Sequence, residues 1–216
     1  MKRVLLAVLL SVVATAQAAP VLQNTSFETN NVVGTGSSAY KAAGTIIAAG
    51  WTFSNPSGSS TGIARDGSVW QGISPYGDYY AWLQKTATIT QTFVSTEAYD
   101  YDFSFNLELR RVGTYGAQPQ VVQMTFDDVI LGEFQPLASD SWKAFSASID
   151  NVAAGTHTIR FIGLNPLATD ATAFLDNIVM TTTAISAVPE PETYALMLAG
   201  LGLVGFAARR KQNATP

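Results

Sequence analysis

Residues 173–180 read AFLDNIVM and place a carboxylate where an alternating strand calls for an apolar side chain: Asp176 is in phase with Phe174, Ile178 and Met180. A lone buried carboxylate is costly, so Asp176 must be protonated, paired with a cation or bound to a metal. The alternative is a sheet end or bulge, with its oxygens bonded to backbone amides. A hard cation such as calcium takes oxygen ligands, which suits a chain with no Cys and one His. Glu28, directly after Phe27 at the end of the first expected strand, is the second candidate ligand. The first and last strands of a sandwich often lie side by side, and two such carboxylates can share an ion with backbone carbonyls. Thiol chemistry, thiolate metal sites and sites needing two imidazoles from one chain are excluded.

Hydrolytic chemistry finds less support. Glycosidases need two carboxyls facing across a bond, whereas Asp127-Asp128 follows a strand as a hairpin turn does and its side chains point apart. His157 alternates with Ile159 and Phe161, as a core or sheet-edge histidine would, and no G-x-S-x-G elbow accompanies it. The chain reads as non-enzymatic.

Sugar recognition needs an aromatic face for the apolar side of a pyranose, with polar groups nearby for its hydroxyls. Trp51, Trp70, Tyr76, Tyr79, Tyr80, Tyr115 and Trp142 lie at or near loops and strand ends, while Glu108, Arg110 and Arg111 extend a polar strand face. Trp70 in DGSVWQG and Tyr115 in GTYGA are the leading ligand-contact candidates, because glycines flank both. Tyr80 and Arg110 complete the candidate set.

These residues are carried by short alternating segments punctuated by Gly, Asn, Asp, Ser and Pro. Tyr101, Phe103, Phe105, Leu107 and Leu109 share one face of a strand, with Asp102, Ser104, Asn106, Glu108 and Arg110 on the other. Comparable strands are expected around residues 87–93, 122–126, 145–149, 157–161 and 173–180. Residues 29–49 and 54–62 are expected as surface loops. No helix interleaves the strands, so the fold class is all-β, a two-sheet antiparallel sandwich. Residues 20–187 suffice for one domain. They carry seven Lys and Arg against fourteen Asp and Glu, a formal charge of −7, and so lack the basic footprint of a nucleic-acid binder.

Both ends differ from this middle. Lys2 and Arg3 precede an apolar stretch and Ala16-Gln17-Ala18, the pattern of a secretory signal helix over residues 1–19, with cleavage near Ala18 or Ala19. At the other end, Val188-Pro-Glu-Pro-Glu192 leads into the apolar run Ala195–Ala208 and then Arg209-Arg210-Lys211. Fourteen helical residues span about 21 Å, short of a bilayer core of about 30 Å. That C-terminal apolar helix is expected to contact the membrane only transiently, with its basic end cytoplasmic.

The order proline-glutamate motif, apolar run and basic cluster over residues 188–212 resembles the PEP-CTERM sorting signal of Gram-negative bacteria. The resemblance implies recognition by an exosortase, processing near Pro189, Glu190 and Pro191, and delivery to the cell surface or extracellular matrix, with a role in exopolysaccharide and biofilm. VLQNTSFET (21–29), Gly50-Trp51, DYYAWLQ (78–84), ITQTF (89–93), YDFSFNLELR (101–110) and AFLDNIVM together resemble galactose-binding-like jelly-roll domains and related carbohydrate-binding modules. That resemblance implies a jelly roll over residues 20–187, a structural calcium held by Glu28 and Asp176, and extracellular polysaccharide as partner. A structural or adhesive matrix protein without a specific sugar site is the competing expectation.

Overall fold

A computed structural model describes residues 18–32, 40–42, 48–56, 58–110, 118–137, 141–166, 170–185 and 191–212. The chain divides into two compact units, residues 1–184 and 185–216. The expected signal helix up to residue 17, Tyr115, Arg111, Pro189 and Glu190 lie outside the described residues.

The first unit is an antiparallel sandwich. One sheet comprises β1 (Tyr40–Ala42), β3 (Ser60–Arg65), β4 (Tyr79–Gln84), β11 (Thr172–Ala184), β6 (Tyr99–Leu109) and β9 (Lys143–Val152), in that spatial order. The other comprises β2 (Thr52–Ser54), β5 (Thr88–Ser95), β10 (Gly155–Gly163), β7 (Val122–Phe126) and β8 (Val129–Phe134). Period-two alternation sends Phe103, Phe105 and Leu107 of β6 and Leu175 of β11 inward. They meet Ile89 and Phe93 of β5, Met124 and Phe126 of β7, and Ile159 and Phe161 of β10. Phe161 is fully buried, 5.1 Å from the Phe105 ring and 6.5 Å from that of Trp51.

The expected strands around residues 87–93, 101–110, 122–126, 145–149, 157–161 and 173–180 all form. Three expectations change. Residues 29–49 contain β1, and the end of the expected loop 54–62 is the start of β3. No strand lies within 18–32: Asn24 and Phe27 take φ of 48° and 59°, and a Phe27 N–H to Asn24 carbonyl bond closes a turn. This turn still packs into the sandwich, because the Trp51 indole N–H donates to the carbonyls of Gln23 and Asn24.

The first sheet is also covered on its outer face. Ala64, Tyr80, Trp82 and Phe174 form a second buried cluster there, with Trp70 and Trp142 packed on it. This explains why β3, β4 and the start of β11 are buried on consecutive residues instead of alternating.

In the second unit, α1 (Pro191–Gln212) opens on proline, whose fixed φ and missing N–H suit a first helical turn. Pro191 and Glu192 are the described members of the proline-glutamate motif. Among the described residues no helix is long and apolar enough to cross a membrane.

Phe161→Ala should cost about 3–5 kcal/mol, the range for deleting a large buried aromatic. Urea unfolding of the variant beside the parent chain measures this.

Candidate functional site

Of the residues singled out from the sequence, Trp70, Tyr80, Arg110 and Trp142 gather on the outer face of the first sheet, under the connection between β3 and β4, whereas Trp51 and Tyr79 pack with the inter-sheet core. Trp70 stacks on Trp82 with ring centroids 4.3 Å apart, and the Arg110 guanidinium lies 4.8 Å above the Trp70 ring. Arg110 is held by an ion pair to Asp170 at 3.0 Å and donates to the Val69 carbonyl. Asp170 also accepts from Gln84 and from the Thr172 hydroxyl. Both faces of the Trp70 indole are thus occupied by the chain itself.

Tyr80 corrects the expectation most plainly. It is fully buried, its ring 4.8 Å from Phe174, and its hydroxyl accepts from the Gly72 N–H. Burial pushes its phenol up from the ordinary value. Its role here is to pin the connection, and no ring face remains for a sugar. Trp142 closes the other side, donating its indole N–H to the Ile73 carbonyl. Glu108, expected on a wet face, is buried beneath this cover. Tyr76, by contrast, keeps 57% of its surface exposed.

Asp176 lies at one end of the same face. It is fully buried and pairs across to Asn106 of β6, but the register then slips by one residue before Val179 meets Ser104. Asn177, with φ of 51°, is in the left-handed region at this bulge. The slip reverses the phase: Phe174 and Asp176 face outward, whereas Ile178 and Met180 face the inter-sheet core. The expectation that all four share a face is therefore wrong, and the sheet-bulge alternative describes the backbone.

Asp176 accepts from the Ser74 hydroxyl and the Asn177 N–H, both at 2.7 Å. Burial pushes its carboxyl up from about 3.8 to about 7, and the nearby charge of Glu28 adds to the rise. Glu28 accepts from the Asp78 N–H and, at 2.9 Å, from the Tyr79 N–H. Its carboxylate sits directly against Gly77, where φ is 99° and an added Cβ would lie 2.4 Å from the Glu28 Cδ. The sequence pairing of these two acids is thus realised around the turn 74–78, without the first strand that was expected to bring them together. No group of three or more His, Cys, Asp or Glu able to hold a metal occurs among the described residues. The oxygen-only pair fits a hard cation if hydroxyl and backbone oxygens complete the set.

Sequence reasoning missed two participants, Ser74 and Asp170. Ser74 opens S-P-Y-G-D, a turn signal through Pro75 and Gly77, whereas Asp170 is linked to Arg110 only by the fold. It also missed a constellation around His157, whose Nδ1 is 2.7 Å from Asp127 Oδ2 and whose Nε2 is 3.1 Å from both Ser95 Oγ and the Ala153 carbonyl. The order Ser, His, Asp has the spacing of a hydrolase triad. Here, however, Nε2 is shared between the Ser95 hydroxyl and the Ala153 carbonyl, and Ser95 is itself buried. The group works as a clasp joining the β7–β8 hairpin turn to β10 and the end of β5.

Residues 187–211 match the PEP-CTERM protein-sorting motif, a signal for export and surface sorting in Gram-negative bacteria. No curated protein matches the chain in sequence. Among solved structures, the sandwich is similar to the Stig cyclase Fisc from Fischerella sp. TAU, with a TM-score of 0.55 at 17% identity over 79% of this chain and 100% of the other. It is also similar to TmCBM61 in complex with β-1,4-galactotriose, with a TM-score of 0.50 at 13% identity over 77% of this chain and 100% of the other. The chain is a two-sheet jelly-roll sandwich, the fold of these structures, followed by a PEP-CTERM sorting motif.

The raised Asp176 carboxyl gives a directional test in chelator. Below about pH 4 both folded and unfolded chains are protonated there; between roughly 4 and 7 only the unfolded chain ionises, so stability falls as pH rises through that window. Urea midpoints should decline across it, and Asp176→Asn should flatten that part of the profile.

Proposed function

We propose that this chain is an exported, surface-sorted, non-catalytic carbohydrate-binding protein that engages extracellular polysaccharide. The observation that carries the reading is the joining of a PEP-CTERM motif to a sandwich whose fold is shared with a galactotriose-bound module. The first says where the domain is delivered and the second gives a class of partner that is abundant there. A cyclase shares the fold as well, so the fold does not carry the non-catalytic assignment. That assignment is supported instead by the burial of Ser95 at the His157 clasp and by the position of Asp127-Asp128 in a hairpin turn. A secretory signal ending near Ala18 and exosortase processing around Pro189, Glu190 and Pro191 complete the route. The C-terminal helix contacts the membrane only before processing.

Calcium belongs to the same proposal. Glu28 and Asp176 would hold it, and the ion would neutralise two neighbouring carboxylates and fix the 74–78 turn that both acids already contact. A ligand bound only by the folded chain stabilises it by mass action. Chelator should therefore lower the Tm of the full chain, added calcium should restore it, and Glu28→Gln with Asp176→Asn should abolish the difference. An unchanged Tm in chelator rejects the calcium site. Binding of the full chain to a glycan array tests the carbohydrate reading itself, and a folded chain that binds no glycan leaves the structural or adhesive matrix role.

A further inference from the structure

Of the aromatic residues expected to meet a sugar, Trp70 and Tyr80 are spent on the fold, whereas Tyr76, which was not ranked with them, is exposed. Tyr76 is 57% exposed, the most exposed aromatic side chain described in the sandwich. Its backbone is fixed on both sides. The Tyr76 N–H donates to the Ser74 hydroxyl, which in turn donates to Asp176, while Glu28 takes the N–H groups of Asp78 and Tyr79. Asp66 reaches across to accept from the Ser74 N–H and donates its own N–H to the Asp78 carbonyl, which brings the end of β3 alongside this turn.

At that junction Arg65 and Asp78 form an ion pair at 2.9 Å whose side chains remain 41% and 58% exposed. Such an exposed pair adds little stability, but it presents a fixed donor beside a fixed acceptor. Adjacent hydroxyls of a sugar ring each donate and accept, so they can bridge such a pair. Tyr76, two residues before Asp78 on the same turn, offers an exposed ring of the kind a pyranose stacks on.

We propose that Tyr76, with Arg65 and Asp78, is a contact site for a neutral polysaccharide; this rests on the carbohydrate-binding reading above and places the binding surface on the 74–78 turn, away from Trp70, Arg110 and Tyr80. Neutrality follows from charge. Asp66 and Asp78 flank the turn with Arg65 as the cation paired there, so a uronic-acid polymer meets repulsion even where an ion neutralises Glu28 and Asp176. Rigidity adds to the affinity, because a turn already ordered in the free protein loses little freedom on binding.

The test uses the full chain on a glycan array that includes neutral β-linked polymers and alginate, followed by affinity electrophoresis in the neutral polymer that binds. Tyr76→Ala should weaken binding at least tenfold with Tm unchanged, Tyr76→Trp should retain it, and Asp78→Asn should weaken it severalfold. A Tyr76→Ala chain that binds like the parent overturns this site and leaves the carbohydrate reading standing. Preference for alginate overturns the assignment of a neutral ligand. A parent chain that binds nothing on the array overturns both.

Discussion

The single extra residue in β11 between Asp176 and Val179 sets the terms for much of the domain. Upstream of it, Leu175 points into the inter-sheet core and Phe174 points out; downstream, Ile178 resumes the inward role one position out of phase. The same irregularity turns the Ile178 N–H to the Thr25 carbonyl, fastening the N-terminal segment to the central strand. It also leaves Asp176 beneath the β3–β4 connection, where Ser74 meets it. Without the bulge, continued alternation would send Ile178 outward and a different residue into its core position.

Around that point the domain carries two apolar regions of different character. The inter-sheet core is broad and built by plain alternation from both sheets. The outer cluster is small and depends on indoles and a guanidinium stacked in series, with polar ends tied to backbone carbonyls and to Asp170. It immobilises residues 66–78, a connection that would otherwise have little to pack against. The result is a loop tied down by hydrogen bonds at Gly72, Ser74 and Asp78, yet with Ile73 and Tyr76 left exposed.

The sandwich was legible because its strands obey period two with few exceptions, and the sorting segment because its three parts follow one another in sequence. Glu28 and Asp176, singled out from the sequence, both contact the 74–78 turn and its neighbours, although the backbone reaching Glu28 is a turn, not a strand. What could not be read was the face each aromatic would occupy. YYAWLQ and TAFLD are continuous apolar runs, the signature of strands covered on both sides, and that signal argued against treating Tyr80 as a surface residue. Nothing local reports that Trp70 would find Trp82, or that Arg110 would find Asp170, since those contacts join residues far apart in the chain. The His157 clasp has the same origin, with Ser95 at the end of β5, Asp127 in the β7–β8 turn and His157 on β10.

The position of β11 has a mechanical consequence. This strand is interior to its sheet, paired with β4 over residues 172–175 and with β6 from residue 173 to residue 184, and the sorting motif begins three residues beyond it. Any pull transmitted through that end of the polypeptide enters the domain along its longest strand, where a ladder of antiparallel hydrogen bonds and the fully buried Leu175 and Ile178 share the load. An edge strand would peel one bond at a time, whereas extraction of β11 has to break up the sheet around it.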